Sequence, residues 1–461
     1  MYYLAVDIGA SGGRHILGSV SGGRIFVEEI YRFQNGYIRK NGHLCWDTDR
    51  LFGEIINGMK KCAELGKKPG SMGIDCFGVD FVLLDKNNNI IGDTVTYRDS
   101  RTEGAVEAVD KIIPREALYD KTGAQSAAFQ SVYQLYSIRN STDDLDRAKR
   151  FLQLPDYFNF LLTGASENEF TNSSTTQLVN AAIKDFDGEL LDLIGIPRHI
   201  FKKPVMPMTV LGSLKPEVVS AAGFDCKVVL PATHDTVSAL TAVPSLDDCI
   251  FISSGTWSLM GTFLKEPNMS SEGMNAGFSN AYVHDGRIGY IKSIMGLWII
   301  QSIKREMDNK YSFGELCGMA RRSDYGLKIN VNDNRFLAPG SMTGAIKNYL
   351  LEHGSPGPET PGDILNCVYH SLAESYAEAA REIELITGKK YGKIHIVGGG
   401  SRDEYLNGLT ARYTGKDIYT GPAEATAIGN LTAQFIAAGE FGSVSEARDA
   451  VLRSFDVKKS E

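Results

Sequence analysis

Twice in this chain a short apolar strand runs into a small-residue turn and out again into a second strand. The first copy is Leu4-Ala-Val-Asp-Ile8, then Gly9-Ala-Ser-Gly-Gly13, then Arg14 to Val20. The second is Cys249-Ile-Phe-Ile252, then Ser253-Ser-Gly-Thr256, then Trp257-Ser-Leu259. Apolar runs on either side of such a turn predict a hairpin. One hairpin early in each half predicts a duplicated α/β architecture, although the two copies share little sequence. A turn with free amides is an anion-binding concavity as readily as a plain reversal, and both readings stand at this point. Neither hairpin contains a G-x-x-x-x-G-K-[ST] loop, and no G-x-G-x-x-G follows a strand, so a nucleotide would have to be held in another way.

At 461 residues the chain has the length for two or three cores. The net charge of -8, with no block of like charge, argues against nucleic acid or an anionic membrane as partner. An anionic ligand must then be captured locally, by amides, a cation or a metal. Met1 to Asp7 lacks the basic and apolar regions of a signal peptide, and no apolar run approaches the ~20 residues of a membrane span. The seven cysteines are scattered without a C-x-x-C pair and the eight histidines without a cluster. That pattern predicts reduced thiols in a cytoplasmic protein without structural zinc.

Three stretches carry candidate chemistry. Pro231-Ala-Thr-His-Asp-Thr236 follows the apolar Lys227-Val-Val-Leu230 and precedes a small-residue helix. A strand end is a rigid mount for a catalytic carboxylate, while Asp235 or Thr236 serves equally as a helix cap. In Met72 to Phe81, Asp75 and Asp80 interrupt an apolar strand beside Gly78. Buried carboxylates cost several kcal/mol unless paired or hydrogen-bonded, so a functional role is at least as good a reading as a structural one. Lys393-Ile-His-Ile-Val397 is a strand entering Gly398-Gly-Gly400, where glycines admit a flat ligand or tight helix packing.

Supporting elements follow from spacing. Leu51, Ile55, Met59 and Cys62 mark a helix face. Residues 105–165 read as mainly helical. Tyr97-Arg-Asp-Ser-Arg-Thr102 offers two arginines to an acid, or is a surface turn with local ion pairs. Glu169 to Gln177 is a polar run that lines a hydroxyl-recognising cavity or forms a loop. Ser401 with Glu404 predicts a capping box for a helix that Gly415 stops. Glu424 to Ala433 predicts a small-residue helix suited to close helix contact.

Taken in order, D-I-G-A-S (residues 7–11), T-H-D-T (233–236), S-S-G-T-W (253–257) and V-G-G-G-S (397–401) resemble the FGGY family of carbohydrate kinases. The similarity extends through G-I-D-C-F-G-V-D-F (73–81), Y-R-D-S-R-T (97–102), T-T-Q-L-V-N (175–180), I-M-G-L-W (294–298) and G-P-A-E-A-T (421–426). It implies the two-domain actin, Hsp70 and sugar-kinase-like (ribonuclease H-like) α/β fold. Each domain would be a mixed five-stranded sheet flanked by helices, residues 1–245 and 246–461, with the active site in the cleft between. By the same resemblance Asp235 is the catalytic base, with His234 and Thr236 beside the sugar and Gly78 and Asp80 contacting it. Ala10, Ser11, Gly12, Gly13 and Arg14 would cradle ATP phosphates, and Asp7 would hold Mg²⁺ through water. Thr256, Gln301 and Gly399 would contact the nucleotide.

The implied reaction is ATP-dependent phosphorylation of the C1 hydroxyl of a ketose, L-rhamnulose or, as the nearest competitor, L-fuculose, by a monomer or homodimer. Two residues depart from the pattern on the sugar side. Ser293 stands where Asn precedes I-M-G-L-W, and Phe77 where Trp precedes G-V-D-F. A sugar-binding pseudo-kinase and an actin- or chaperone-like ATPase are the competing classes. The first has no need of Asp235, and the second lacks the features around Gly78 and His234.

Overall fold

The computed structural model describes residues 1–244 and 248–460. The chain forms two compact units, and neither is contiguous in sequence. The first comprises Met1–Pro244, Leu264–Tyr290 and Ala425–Ser454; the second comprises Ser245–Phe263, Ile291–Glu424 and Phe455–Glu461. The expected division at 245/246 falls on residues 245–247, outside the described residues.

In the first unit the strands are β1 (Tyr2–Gly9), β2 (Gly12–Ser21), β3 (Arg24–Gln34), β4 (Pro69–Cys76), β5 (Val210–Ser213) and β6 (Lys227–Val229). Their spatial order is β5-β6-β4-β1-β2-β3. The hairpin β1–β2 is antiparallel, and β4 joins β1 on its other side in parallel. Alternation along β1 decides which helix covers which face. Leu4, Val6 and Ile8 share a core with Leu51, Ile55, Met59 and Cys62 of the Thr48–Glu64 helix. Tyr3 points the other way and meets Phe435 of the Ala425–Ala437 helix edge to face, ring centroids 5.0 Å apart.

That second helix arrives from late in the chain, and its small residues let it close in. A side chain at Gly429 would overlap the Ser238 carbonyl, and one at Gly73 would come within 2.7 Å of Asn430 Oδ1. Buried amides make the junction specific. Gln434 Nε2 donates to Leu4 O (2.9 Å) and to Asn430 Oδ1 (2.8 Å), Asn430 Nδ2 donates to Gly73 O (3.1 Å), and Ser71 Oγ donates to Gln434 Oε1 (2.7 Å).

The second unit repeats the plan. Its strands β7 (Cys249–Ser254), β8 (Trp257–Leu264), β9 (Lys393–Val397), β10 (Asp417–Thr420) and β11 (Lys458–Lys459) lie in the order β8-β7-β9-β10-β11. Here too a hairpin strand, β7, pairs antiparallel with its partner β8 and parallel with a later strand, β9. The expected duplication is therefore present in the strand pairing. The first unit's sheet carries six strands rather than five, because the antiparallel β5 extends its edge.

Two local expectations are corrected and a third holds. Asp403, not Ser401, caps the Glu404–Thr414 helix: its side chain accepts from Leu406 N, while Ser401 Oγ turns back to Gly398 O (2.7 Å). Residues 105–165 are mainly helical as expected, with one short strand, Arg150–Gln153, paired with Phe81–Leu84. The polar run after Glu169 is not a surface loop: Glu169, Thr171, Asn172, Ser173, Thr176 and Gln177 are buried, with Ser174 and Thr175 half-buried. Among the described residues no helix is long and apolar enough to cross a membrane, and all seven cysteines are free thiols.

Candidate active site

Strand register gathers the acidic groups of the first unit. Asp7 on β1 lies opposite Arg14 on β2 and opposite Asp75 on β4. Arg14 donates Nε and Nη2 to Asp7 Oδ2 at 2.9 and 2.8 Å. Asp75 is fully buried; its Oδ2 accepts from Asn430 Nδ2 at 2.6 Å and its Oδ1 has no protein partner. Burial first, then the charges of Asp7 and Asp235, hold its carboxyl well above the usual carboxylate range.

Asp235 follows β6 at the start of the Asp235–Thr241 helix. His234 is the N-cap, with extended backbone angles (φ -80°, ψ 115°) and no side-chain cap bond, so Asp235 is the first helical residue rather than the cap. Both of its protein donors, Thr236 N (2.5 Å) and Thr236 Oγ1 (3.1 Å), go to Oδ1. That arrangement leaves Oδ2 for a ligand, and 31% of the side chain is open. Desolvation and then the Asp7 charge push its pKa up to about 7. His234 places Nε2 3.7 Å from Asp235 Oδ1, and burial drops its pKa to about 4, so it is neutral at pH 7 with Nδ1 unpartnered. Thr236 is nearly closed off from solvent.

Beside β4 the chain turns at Gly78, where a Cβ would come within 2.8 Å of Thr175 Oγ1. Val79 N donates to that same hydroxyl at 3.1 Å. Val79 sits at φ +70°, a conformation that costs a β-branched residue ~1–3 kcal/mol and persists where the surroundings enforce it. Asp80, 1% exposed, accepts from Trp46 Nε1 (2.6 Å), Tyr97 N (3.1 Å) and Gln134 Nε2 (3.2 Å). Burial nonetheless raises its pKa to about 6. Its oxygens are thus engaged in anchoring the aromatic wall of Trp46, Phe77 and Tyr97, whose neighbouring rings lie 4.8 and 6.0 Å apart. The arginines of the 97–102 run serve that wall. Arg98 Nε donates to Tyr97 Oη (3.1 Å) and Arg101 Nη2 to Gln134 Oε1 (2.5 Å).

Ala10 and Ser11 form the turn of the first hairpin, and Gly12, Gly13 and Arg14 open β2. Asn35 clasps the turn, its N donating to Ser11 O (3.1 Å) and its Nδ2 to Gly9 O (2.8 Å). Any side chain at Gly13 would strike the Phe33 ring.

The remaining predicted residues lie in the second unit. Thr256 is held in its turn by Leu297 N to Gly255 O (3.0 Å) and Trp298 N to Thr256 O (3.1 Å), and its hydroxyl reaches Gln301 Oε1 at 3.5 Å. In the glycine trio, Cβ atoms at Gly398 and Gly400 would press on Ser254, whereas Gly399 faces open space. Close packing explains the outer two and an open backbone face the middle one. Ser293 is exposed on the strand Ile288–Met295.

Among the described residues no group of three or more His, Cys, Asp and Glu side chains is arranged to hold a metal. Asp7 and Asp235 nevertheless repel each other, with the single Arg14 against Asp7. Mg²⁺ is commonly held by one or two carboxylates, water and substrate phosphate, and this pair fits that mode.

Sequence reasoning missed Glu169, Asn430 and Trp46. Each left a trace: an acid heading a polar run between apolar elements, a lone amide in the Ala-Ile-Gly-Asn-Leu helix, and a tryptophan just before a helix start.

The sequence signature of the FGGY family of carbohydrate kinases, N-terminal domain, matches residues 2–242, and that of the C-terminal domain matches residues 250–438. The chain is 47% identical over 459 residues to a rhamnulokinase of Halalkalibacterium halodurans, covering 99% of this chain and 98% of that protein. It is 38% identical over 461 residues to a rhamnulokinase of Bacillus subtilis, covering 99% and 95%. In fold it is similar to a ligand-bound xylulose kinase from Lactobacillus acidophilus, with TM-score 0.82, 17% identity and coverage of 100% and 93%. A Plasmodium falciparum glycerol kinase with ADP is similar at TM-score 0.78 and 13% identity, covering 100% and 94%.

Proposed function

The chain belongs to the FGGY family of carbohydrate kinases, and from that premise we propose that it transfers the γ-phosphoryl group of ATP to the C1 hydroxyl of L-rhamnulose. The observation that carries the chemistry is the geometry of Asp235, whose protein donors both go to Oδ1 and leave Oδ2 open; burial and then the Asp7 charge push its pKa up to about 7. A general base works best when its pKa lies near the operating pH.

In the proposed step the sugar hydroxyl oxygen bonds to the γ-phosphorus, its proton passes to Asp235, and the bond from γ-phosphorus to the bridging oxygen breaks to release ADP. Neutral His234 offers a hydrogen bond to a sugar hydroxyl without adding charge, and the wall of Trp46, Phe77 and Tyr97 supplies apolar surface for a deoxygenated carbon. Asp80 holds that wall in place. The amides of Ala10 to Gly13, with Arg14, face phosphate oxygens; Thr256, Gln301 and Gly399 hold the nucleotide. Mg²⁺ would be held through Asp7, with Asp235 nearby, and would neutralise phosphate charge there. The free thiols suit a reducing compartment, so we place the reaction in the cytoplasm.

The test is ADP release with L-rhamnulose, L-fuculose, D-xylulose, L-ribulose and glycerol at equal concentrations. L-Rhamnulose is expected to give the highest kcat/KM; a higher value for another ketose would reject the sugar assignment. Asp235→Asn should lower kcat by about 10³-fold, within the ordinary range for losing a general base. Substantial ADP production by that variant would reject Asp235 as the base. Because a base must be unprotonated, the parent's kcat/KM should fall as pH drops through about 7.

A further inference from the structure

Every polar backbone and side-chain atom of Thr233, the residue just before His234, is engaged. Its N and Oγ1 donate to Glu169 Oε2 at 3.0 and 2.9 Å. Its carbonyl accepts from Cys76 N at 2.8 Å and from Asn172 Nδ2 at 3.3 Å. Glu169 in turn accepts from Thr171 N (2.8 Å), Thr171 Oγ1 (2.6 Å) and Asn172 N (3.1 Å). Five donors from two separate segments thus converge on one carboxylate that is closed to solvent, and no basic side chain is among them.

Two of these donors, Thr171 N and Asn172 N, are the cap bonds of the Phe170–Ser173 helix, a local role that needs nothing from Thr233. The two bonds from Thr233 N and Oγ1 go beyond that cap, reaching the same carboxylate oxygen from a separate segment of the chain. What the arrangement does provide is location. Cys76 ends β4 two residues before Gly78, and it forms a parallel bridge with His234. Through Thr233, the entry to the Asp235 helix is referenced to the Gly78 turn on one side and to the 169–172 segment on the other.

We propose that Glu169 is a positioning residue, which through its paired hydrogen bonds to Thr233 sets where the Asp235 carboxylate meets the acceptor hydroxyl. The inference rests on the reading of Asp235 as the base. A misplacement of about 1 Å at a reacting group can cost on the order of 10²-fold in rate, so the effect belongs in kcat. ATP binding, assigned to other residues, should be untouched.

The experiment compares Glu169→Gln, Thr233→Val and Thr233→Ser with the parent, reading kcat, KM for each substrate and Tm. Thr233→Val removes one of the five donors at constant shape and should lower kcat by roughly tenfold with KM for ATP within about twofold. Glu169→Gln turns one acceptor into a donor facing donors and should lower kcat by about 10²-fold. Thr233→Ser restores the hydroxyl and should recover kcat to within about threefold of the parent. If Glu169→Gln does not fold, Thr233→Val decides. A Thr233→Val protein that is folded, lower in Tm and unchanged in kcat overturns the proposal and leaves Glu169 a structural group. A parent protein without sugar-dependent ADP release, or an active Asp235→Asn, would instead sink the reading beneath it.

Discussion

The two hairpins share a strand plan and differ in what fills them. In the first, Asp7 and Arg14 face each other across the pair, with the carboxylates of Asp75 and Asp235 close enough to perturb one another. In the second, no ionisable side chain stands in the turn. Ser254 lies where Gly398 and Gly400 leave no room for a Cβ, and Ser258 Oγ pairs with Tyr376 Oη at 2.7 Å. A duplicated scaffold has thus been specialised, one copy for handling charge and the other for offering a shaped backbone surface. Under the proposed reaction that is the split between phosphoryl transfer and nucleotide seating.

Substitutions in each hairpin sharpen or break this contrast. The largest effect is expected at Asp7→Asn, which should lower kcat by about 10²-fold or more, as loss of a transition-state electrostatic partner does. It should also move the acid limb of kcat/KM to lower pH, because the Asp7 charge helps raise the Asp235 pKa. An acid limb that stays in place would separate the two carboxylates. Next is Gly400→Ala, whose methyl would overlap Ser254 Oγ. Overpacking of that kind costs ~1–3 kcal/mol, to be read as a drop in Tm, whereas Gly399→Ala should leave Tm alone and raise KM for ATP. Equal Tm losses at the two glycines would remove the distinction between packing and open face. The smallest effect is expected at Thr256→Ala, a few-fold rise in KM for ATP with kcat unchanged, since one half-buried hydrogen bond contributes ~0.5–1.5 kcal/mol.

Both hairpins and the Asp235 mount were legible in the sequence because they rest on short-range alternation and turn chemistry. The roles of Asp75 and Asp80 were only half legible. Their cost of burial was readable from an apolar strand, but their donors come from Asn430, Trp46, Tyr97 and Gln134, and no local pattern announces a partner that far along the chain. The 169–177 run shows the opposite failure. Its polarity suggested a surface that receives a ligand, yet the hydroxyls of Thr171, Thr175 and Thr176 find their acceptors within the run itself. The capping box at Ser401 was displaced because the glycines before it tighten into a 3₁₀ turn, which moves the helix start to Asp403.

The late arrival of the Ala425–Ala437 helix has a consequence for how the protein is made. Until Asn430 and Gln434 leave the ribosome, β1 and β4 lack the cover of this helix, and Asp75 has no donor for its carboxylate. At translation speeds of ~5–20 residues per second, the first unit waits tens of seconds for its last wall. A fragment ending at Pro244 would keep the whole first hairpin and Asp235 yet stay open where that helix packs. Biosynthesis therefore puts the carboxylate cluster in place last, after nearly all of the chain that is to use it has been made.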